Sequence, residues 1–195
     1  MTAEIRTDIR SQHIERMLVA AGSRAPLGIA RALNRAGVPT ENAYLRQVRK
    51  VLGLRNHPYA KRSLGDAVKR RTSRRRATAG RLEYSLAGFG RGLPAIYYQP
   101  REGVPGASIN WLGARKTIPR SFYLSGRFPR RRRSAISHVV WQRDGAGRWN
   151  LSRVDGPAIP EAMVTGSAAG VWEAQAAARL GPALKSALEA MMRGY

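Results

Sequence analysis

The chain has 195 residues, 43% of them hydrophobic and 7% aromatic, enough apolar side chain for one folded domain and too much for wholesale disorder. Lys and Arg number 35 against 12 Asp and Glu, a net charge of +23, so a compact monomer repels itself unless a polyanion or acidic neighbouring subunits offset the charge. Cysteine is absent, which excludes disulfides and thiolate metal sites, and no stretch approaches the roughly 18 consecutive apolar residues of a membrane span.

Residues 1–54 read as helical. Ile5, Ile9, Ile14, Met17 and Leu18 fall close to helical spacing, with none of the uninterrupted apolar run of a signal peptide, so synthesis and retention in the cytoplasm until assembly are expected. A break is expected at Gly22 to Pro26. A second stripe runs through Leu27, Ala30, Leu33 and Asn34 and resumes at Tyr44, Leu45, Val48 and Leu52, with a kink or interruption expected at Gly37 to Pro39. Both stripes are expected to pack on a sheet.

Residues 55–80 form a basic segment. Within the slightly wider window 46–81 there are 13 basic side chains and one acid, Asp66, a net of +12 and more than half of the protein's excess charge. Its densest part, KRRTSRRR, supplies Lys69, Arg70, Arg71, Arg74, Arg75 and Arg76, and Leu64 and Val68 are the apolar anchors nearby. A solvated face or arm is one reading; contact with nucleic acid or an acidic protein surface is the other, since phosphate neutralisation needs only cations at intervals.

From Arg81 the period changes, and residues 81–160 read as an antiparallel sheet. RLEYSL alternates Leu82, Tyr84 and Leu86 with polar partners, and LPAIYY, ASINWL and SFYL read as further strands. AGFGRG, QPREGVPG and GARKTIPR read as connections. HVVWQRD and RWNLSRV, joined by Asp144 to Gly147, form the clearest hairpin, in which Trp141 and Trp149 can pair and His138 is an ordinary strand residue. Before it stand Arg130, Arg131, Arg132 and Arg133. Four like charges in a row cannot share one buried face, so they are expected on a loop.

Residues 161–195 carry a C-terminal helix with Trp172, Leu180, Leu184, Leu188 and Met191 on one face, and Gly181-Pro182 is expected to end one helix and start another. The fold class is therefore α+β: N-terminal helices and a C-terminal helix packed on a small, mainly antiparallel β-sheet, with basic loops or arms.

No catalytic, cofactor or metal site is expected. The acids are scattered singly, His13, His57 and His138 sit in unrelated contexts, and no metalloprotease, phosphate-loop or nucleophile-elbow pattern occurs. Gly88-Phe89-Gly90-Arg91-Gly92 has no following helix and reads as a strand connection. Asp144, Asp155 and Glu161 are the candidates for metal-dependent nuclease chemistry, and their Gly and Pro neighbours fit turns better.

The order of segments resembles the phage minor tail protein Z family, the tail completion proteins of long-tailed phages. ALNRAG at Ala32 to Gly37 is similar to an early helix motif that precedes a basic stretch. LPAIYY at Leu93 to Tyr98, LGARKTIPRSFYL at Leu112 to Leu124, and HVVWQRDGAGRWNLSRVDGPAIPEAMV from His138 are similar to successive later segments, over most of the length. The resemblance implies a virion protein of the tail or neck, assembled in the host cytoplasm. It would finish the head-proximal tail end as a ring of six copies, beside tail terminator or tail tube and head-connector proteins and around genomic DNA.

A cyclic ring needs two different surfaces on each subunit. Trp111, Trp172 and Tyr195 are the candidate interface anchors, because large aromatics dominate interface energetics. The alternative is a free non-specific nucleic-acid-binding protein, with Tyr97-Tyr98 and Phe122-Tyr123 stacking on bases. A DNA-acting enzyme comes third.

Overall fold

The structure is a computed structural model that describes residues 22–127, 129–145, 147, 150–164 and 166–193. The first helical stripe, Trp149 and Tyr195 lie outside the described residues. A 3-10 turn at Gly22–Arg24 leads into helix α1, Ala25–Val51. Then follow α2 (Leu64–Lys69), β1 (Thr72–Arg75), β2 (Ser85–Gly88), a 3-10 turn (Ala95–Tyr97), β3 (Ser108–Trp111), β4 (Ala114–Thr117) and β5 (Ser121–Phe122). The strands β6 (Trp141–Arg143) and β7 (Leu151–Arg153) precede helices α3 (Ile159–Met163) and α4 (Gly166–Met192). The fold is α+β, with three small sheets in place of one: β1-β2, β3-β4 and β5-β6-β7.

The order of segments along the chain is not the order of packing. The chain divides into two compact units, neither of them contiguous: residues 48–72 with 88–163, and residues 22–47 with 73–87 and the described part of 164–193.

The second unit is built on a helix pair. Ala32 and Ala36 of α1 bury against Leu180, Ala183 and Leu184 of α4, so this face of α1 packs on a helix, while Asn34 and Gly37 meet Ala77 and Tyr84. Small residues permit the approach: a Cβ on Gly28 would fall 2.0 Å from the Met191 sulfur. Tyr44 and Trp172 meet edge to face with ring centroids 5.3 Å apart. Leu27, expected on the buried stripe, is 48% exposed.

Neither proline interrupts its helix. Pro39 and Pro182 both sit inside continuous helices, which corrects the expected interruption at Gly37 to Pro39 and the expected pair of C-terminal helices. Each removes one backbone donor. The burial of Ala36 and Thr40 around Pro39, and of Leu180, Ala183 and Leu184 around Pro182, holds the helical path regardless.

The first unit contains the remaining sheets. LPAIYY, expected as a strand, forms one isolated bridge, Pro94 to Asp155, and then a 3-10 turn closed by Tyr97 N–H donating to the Pro94 carbonyl at 3.1 Å. Such an unbroken apolar run has no alternation to fix it as a strand, and here most of it is buried, with Ile96 and Tyr98 at 1% and 0% exposure. ARKT, read as part of a connection, is strand β4, paired Ser108 to Thr117 through Trp111 to Ala114. Its two-residue turn places Leu112 at φ 51° and Gly113 at φ 91°, and a left-handed leucine carries little turn signal in a sequence. The hairpin β6-β7 forms as expected, in register Trp141 to Arg153 and Arg143 to Leu151. His138 stands in the turn before β6, where the 134–139 segment closes on itself through Ser137 N–H donating to the Ser134 carbonyl.

Candidate anion-binding surface

The basic run KRRTSRRR is placed by short, well-anchored elements. Ser63 caps α2: its hydroxyl oxygen accepts the Asp66 N–H at 3.1 Å and its O–H donates to the Asp66 carboxylate at 2.6 Å. Asn56 Oδ1 accepts the Leu64 N–H at 2.8 Å. Leu64 and Val68 are buried beneath, which fixes where Lys69, Arg70 and Arg71 emerge at the other end of α2. The run then passes into the second unit as strand β1, exposed from Ser73 to Arg75, where a solvated face or arm is one expectation and contact with nucleic acid or an acidic protein surface the other.

In that unit Asn34 of α1 binds the end of the basic strand as another strand would. Its Nδ2 donates to the Ala77 carbonyl and its Oδ1 accepts the Ala77 N–H, both at 2.9 Å. Arg74 is not a free cation. Glu41, 9% exposed, lies 3.5 Å from its guanidinium and also accepts the Tyr84 hydroxyl at 2.5 Å. The charge on Glu41 raises the Arg74 pKa further, and burial first, then the bond to Glu41, pushes the Tyr84 phenol up. Arg75 and Arg76 are exposed.

The four consecutive arginines do lie on a loop, tied by the Ser125 to Arg132 bridge. They alternate in role. Arg131 is half-buried and pairs with Glu102, whose other oxygen accepts the N–H groups of Tyr123 and Leu124 at 2.7 and 2.9 Å. The Arg133 guanidinium lies 4.8 Å from the Tyr59 ring centroid, in a cluster where Tyr59 and Tyr123 both meet His57 edge to face. Arg130 and Arg132 are exposed and take no side-chain ion pair among the described residues.

A feature that linear charge counting misses lies in the first unit. Lys61, Arg62, Arg70, Arg71 and Arg153 converge on a cleft of about 580 Å³ whose apolar floor includes Leu93, Ile96 and Val139. Arg70 and Arg71 were legible as candidates; Arg153 comes from β7, far along the chain, and only the fold brings it to them.

The aromatic candidates fare unevenly. Tyr97 and Tyr98 are 4% and 0% exposed, and their hydroxyls donate to the Arg62 and Pro157 carbonyls, so they offer no face for base stacking. Phe122 is half-buried with the Arg143 guanidinium 5.2 Å from its centroid. Trp172, 6% exposed, is occupied by core packing on Tyr44 and offers little to a neighbouring subunit. Trp111 is half-buried at the end of β3, with the Lys116 ammonium 4.6 Å from its ring centroid.

The glycine-rich loop after β2 is a packing device. A Cβ on Gly92 would fall 1.7 Å from the Gly156 carbonyl oxygen. Asp155 pairs with Arg153 at 2.8 Å, and among the described residues no group of three or more His, Asp or Glu is placed to hold a metal. Nor, among them, is any helix long and apolar enough to cross a membrane. No protein-family model, curated protein or solved structure matches the chain.

Proposed function

We propose that the chain is a structural virion protein that completes the head-proximal end of a long phage tail and supports head-tail joining, as one subunit of a six-copy ring around the DNA path. The observation that carries this reading is the ordered set of segments resembling the minor tail protein Z family, from ALNRAG at Ala32 to the hairpin that begins near His138.

Three features support it. The charge of +23 is tolerable in a closed ring only beside a polyanion or acidic subunits. Arg75, Arg76, Arg130 and Arg132 stand exposed and can meet either. Exposed apolar side chains in each unit, Phe89 and Val104 in the first and Leu82 and Met192 in the second, give a heterologous contact something to cover.

The test is electron cryomicroscopy of virions that carry this protein. A ring of its density between the head connector and the tail tube is the expected result. Absence from virions, with purified protein coating DNA instead, would replace the assembly role by free nucleic-acid binding.

A further inference from the structure

We infer that the cationic cleft of the first unit binds an acidic peptide segment, with aspartate or glutamate carboxylates on Lys61, Arg62, Arg70, Arg71 and Arg153 and an apolar side chain on the floor between them. The inference goes beyond the tail reading and holds for any assembly in which the chain takes part.

The cleft has the attributes of a prepared site. Its volume of about 580 Å³ falls within the range of preformed ligand pockets. Its lining contains five Lys and Arg side chains and, among the described residues, no carboxylate. Among the described residues, Lys61, Arg62, Arg70 and Arg71 have no ion-pair partner, and Arg153 shares Asp155. Gly90, at φ +82°, leaves the space that the Arg71 guanidinium occupies: a Cβ there would fall 2.5 Å from Nη1. The four cations without a partner repel one another, and an anion bound among them offsets that repulsion.

Shape decides which anion. Duplex DNA is a convex rod with one charge per roughly 1.7 Å of axis and a major groove about 12 Å wide, which suits exposed rims and arms better than a pocket of this size. A single strand fits the volume but gains its sequence-tolerant affinity from stacking on aromatic faces. The aromatic side chains of the lining are Tyr97, 4% exposed and held by its bond to the Arg62 carbonyl at 2.9 Å, and the half-buried His138, too few to stack successive bases. An extended acidic peptide needs no such face. Its carboxylates match the forked donors of arginine, and an apolar residue between them covers the half-buried Pro94 and Val139.

The experiment titrates the full chain into a fluorescein-labelled peptide of alternating Glu and Leu and follows anisotropy at near-physiological salt. The same peptide with Gln for Glu is the charge control. An Arg71→Gln/Arg153→Gln variant is compared with Arg31→Gln/Arg46→Gln, which removes equal charge from residues outside the lining. The cleft variant should weaken binding about tenfold or more and the other less than about twofold, with the Gln peptide not bound. Circular dichroism checks folding, and Arg70→Gln/Arg71→Gln takes its place if loss of the Arg153 pair with Asp155 unfolds the chain. Equal weakening by both variants, or no binding of the acidic peptide, overturns the proposal. Tighter binding of duplex DNA with the same dependence on Arg71 and Arg153 also overturns it and makes the cleft a phosphate site.

Discussion

Neighbouring identical side chains serve different ends here, and single substitutions should separate them. Arg131 is a counterion to the largely buried Glu102 carboxylate, so Arg131→Gln should cost about 2 kcal/mol of unfolding free energy in urea titrations. Arg130→Gln should stay within about 0.5 kcal/mol of the parent, because its side chain is exposed. Asn34→Ala removes both bonds to Ala77 and leaves that backbone under-satisfied, a loss of about 2 kcal/mol by the same measurement. His57 titrates in a useful window. Burial lowers its pKa, so the folded state binds fewer protons than the unfolded one. Its contribution is present above the ordinary histidine value of about 6.5 and is lost as pH falls through the folded pKa. The facing groups, Tyr59, Tyr123 and Arg133 over Tyr59, supply no carboxylate to offset this. Unfolding curves between pH 7.5 and 5 should therefore lose more stability in the parent than in His57→Gln.

Among the elements, α4 gives the sharpest test of packing against local propensity. Pro182 is exposed within a continuous helix, so Pro182→Ala restores a backbone bond without removing buried surface and should raise stability by about 1 to 3 kcal/mol, read as a higher melting temperature. The same helix marks what the sequence could tell. The stripe from Trp172 to Leu188 was legible because its period survives the proline, and the hairpin β6-β7 because alternation and a Gly-rich turn agree. The helix break at Gly181-Pro182 was a sound local inference overridden by burial on α1. LPAIYY and ARKT failed for a different reason: one has no alternation to read, and the other is exposed at every position, behind a turn that the left-handed Leu112 does not announce. Four of the six residues of ALNRAG have a plain structural task. Ala32 and Ala36 meet α4, Asn34 holds Ala77, and Gly37 makes room for the Tyr84 ring, 2.6 Å from where a Cβ would stand. Of the candidate site, the basic residues were visible as a density along the chain, but their sorting into counterions, exposed cations and cleft lining depends on contacts between distant segments.

For the molecule as a whole, the exposed cations should govern any binding to duplex DNA. Replacing Arg75, Arg76, Arg130 and Arg132 by Gln should lower the slope of log K for duplex DNA against log salt by about one for each phosphate that is no longer neutralised, with little change in fold. The non-contiguous build of the second unit bears on a separate matter, the moment at which the protein becomes foldable. The buried face of α1 is closed by α4, the final described element, so a nascent chain leaves the ribosome with Ala32, Ala36 and Tyr44 uncovered until synthesis has passed Leu188. Folding of that unit then waits for α4 to be made. Cells making the protein must shield this face, or hold the chain dilute, for as long as the intervening segments take to emerge.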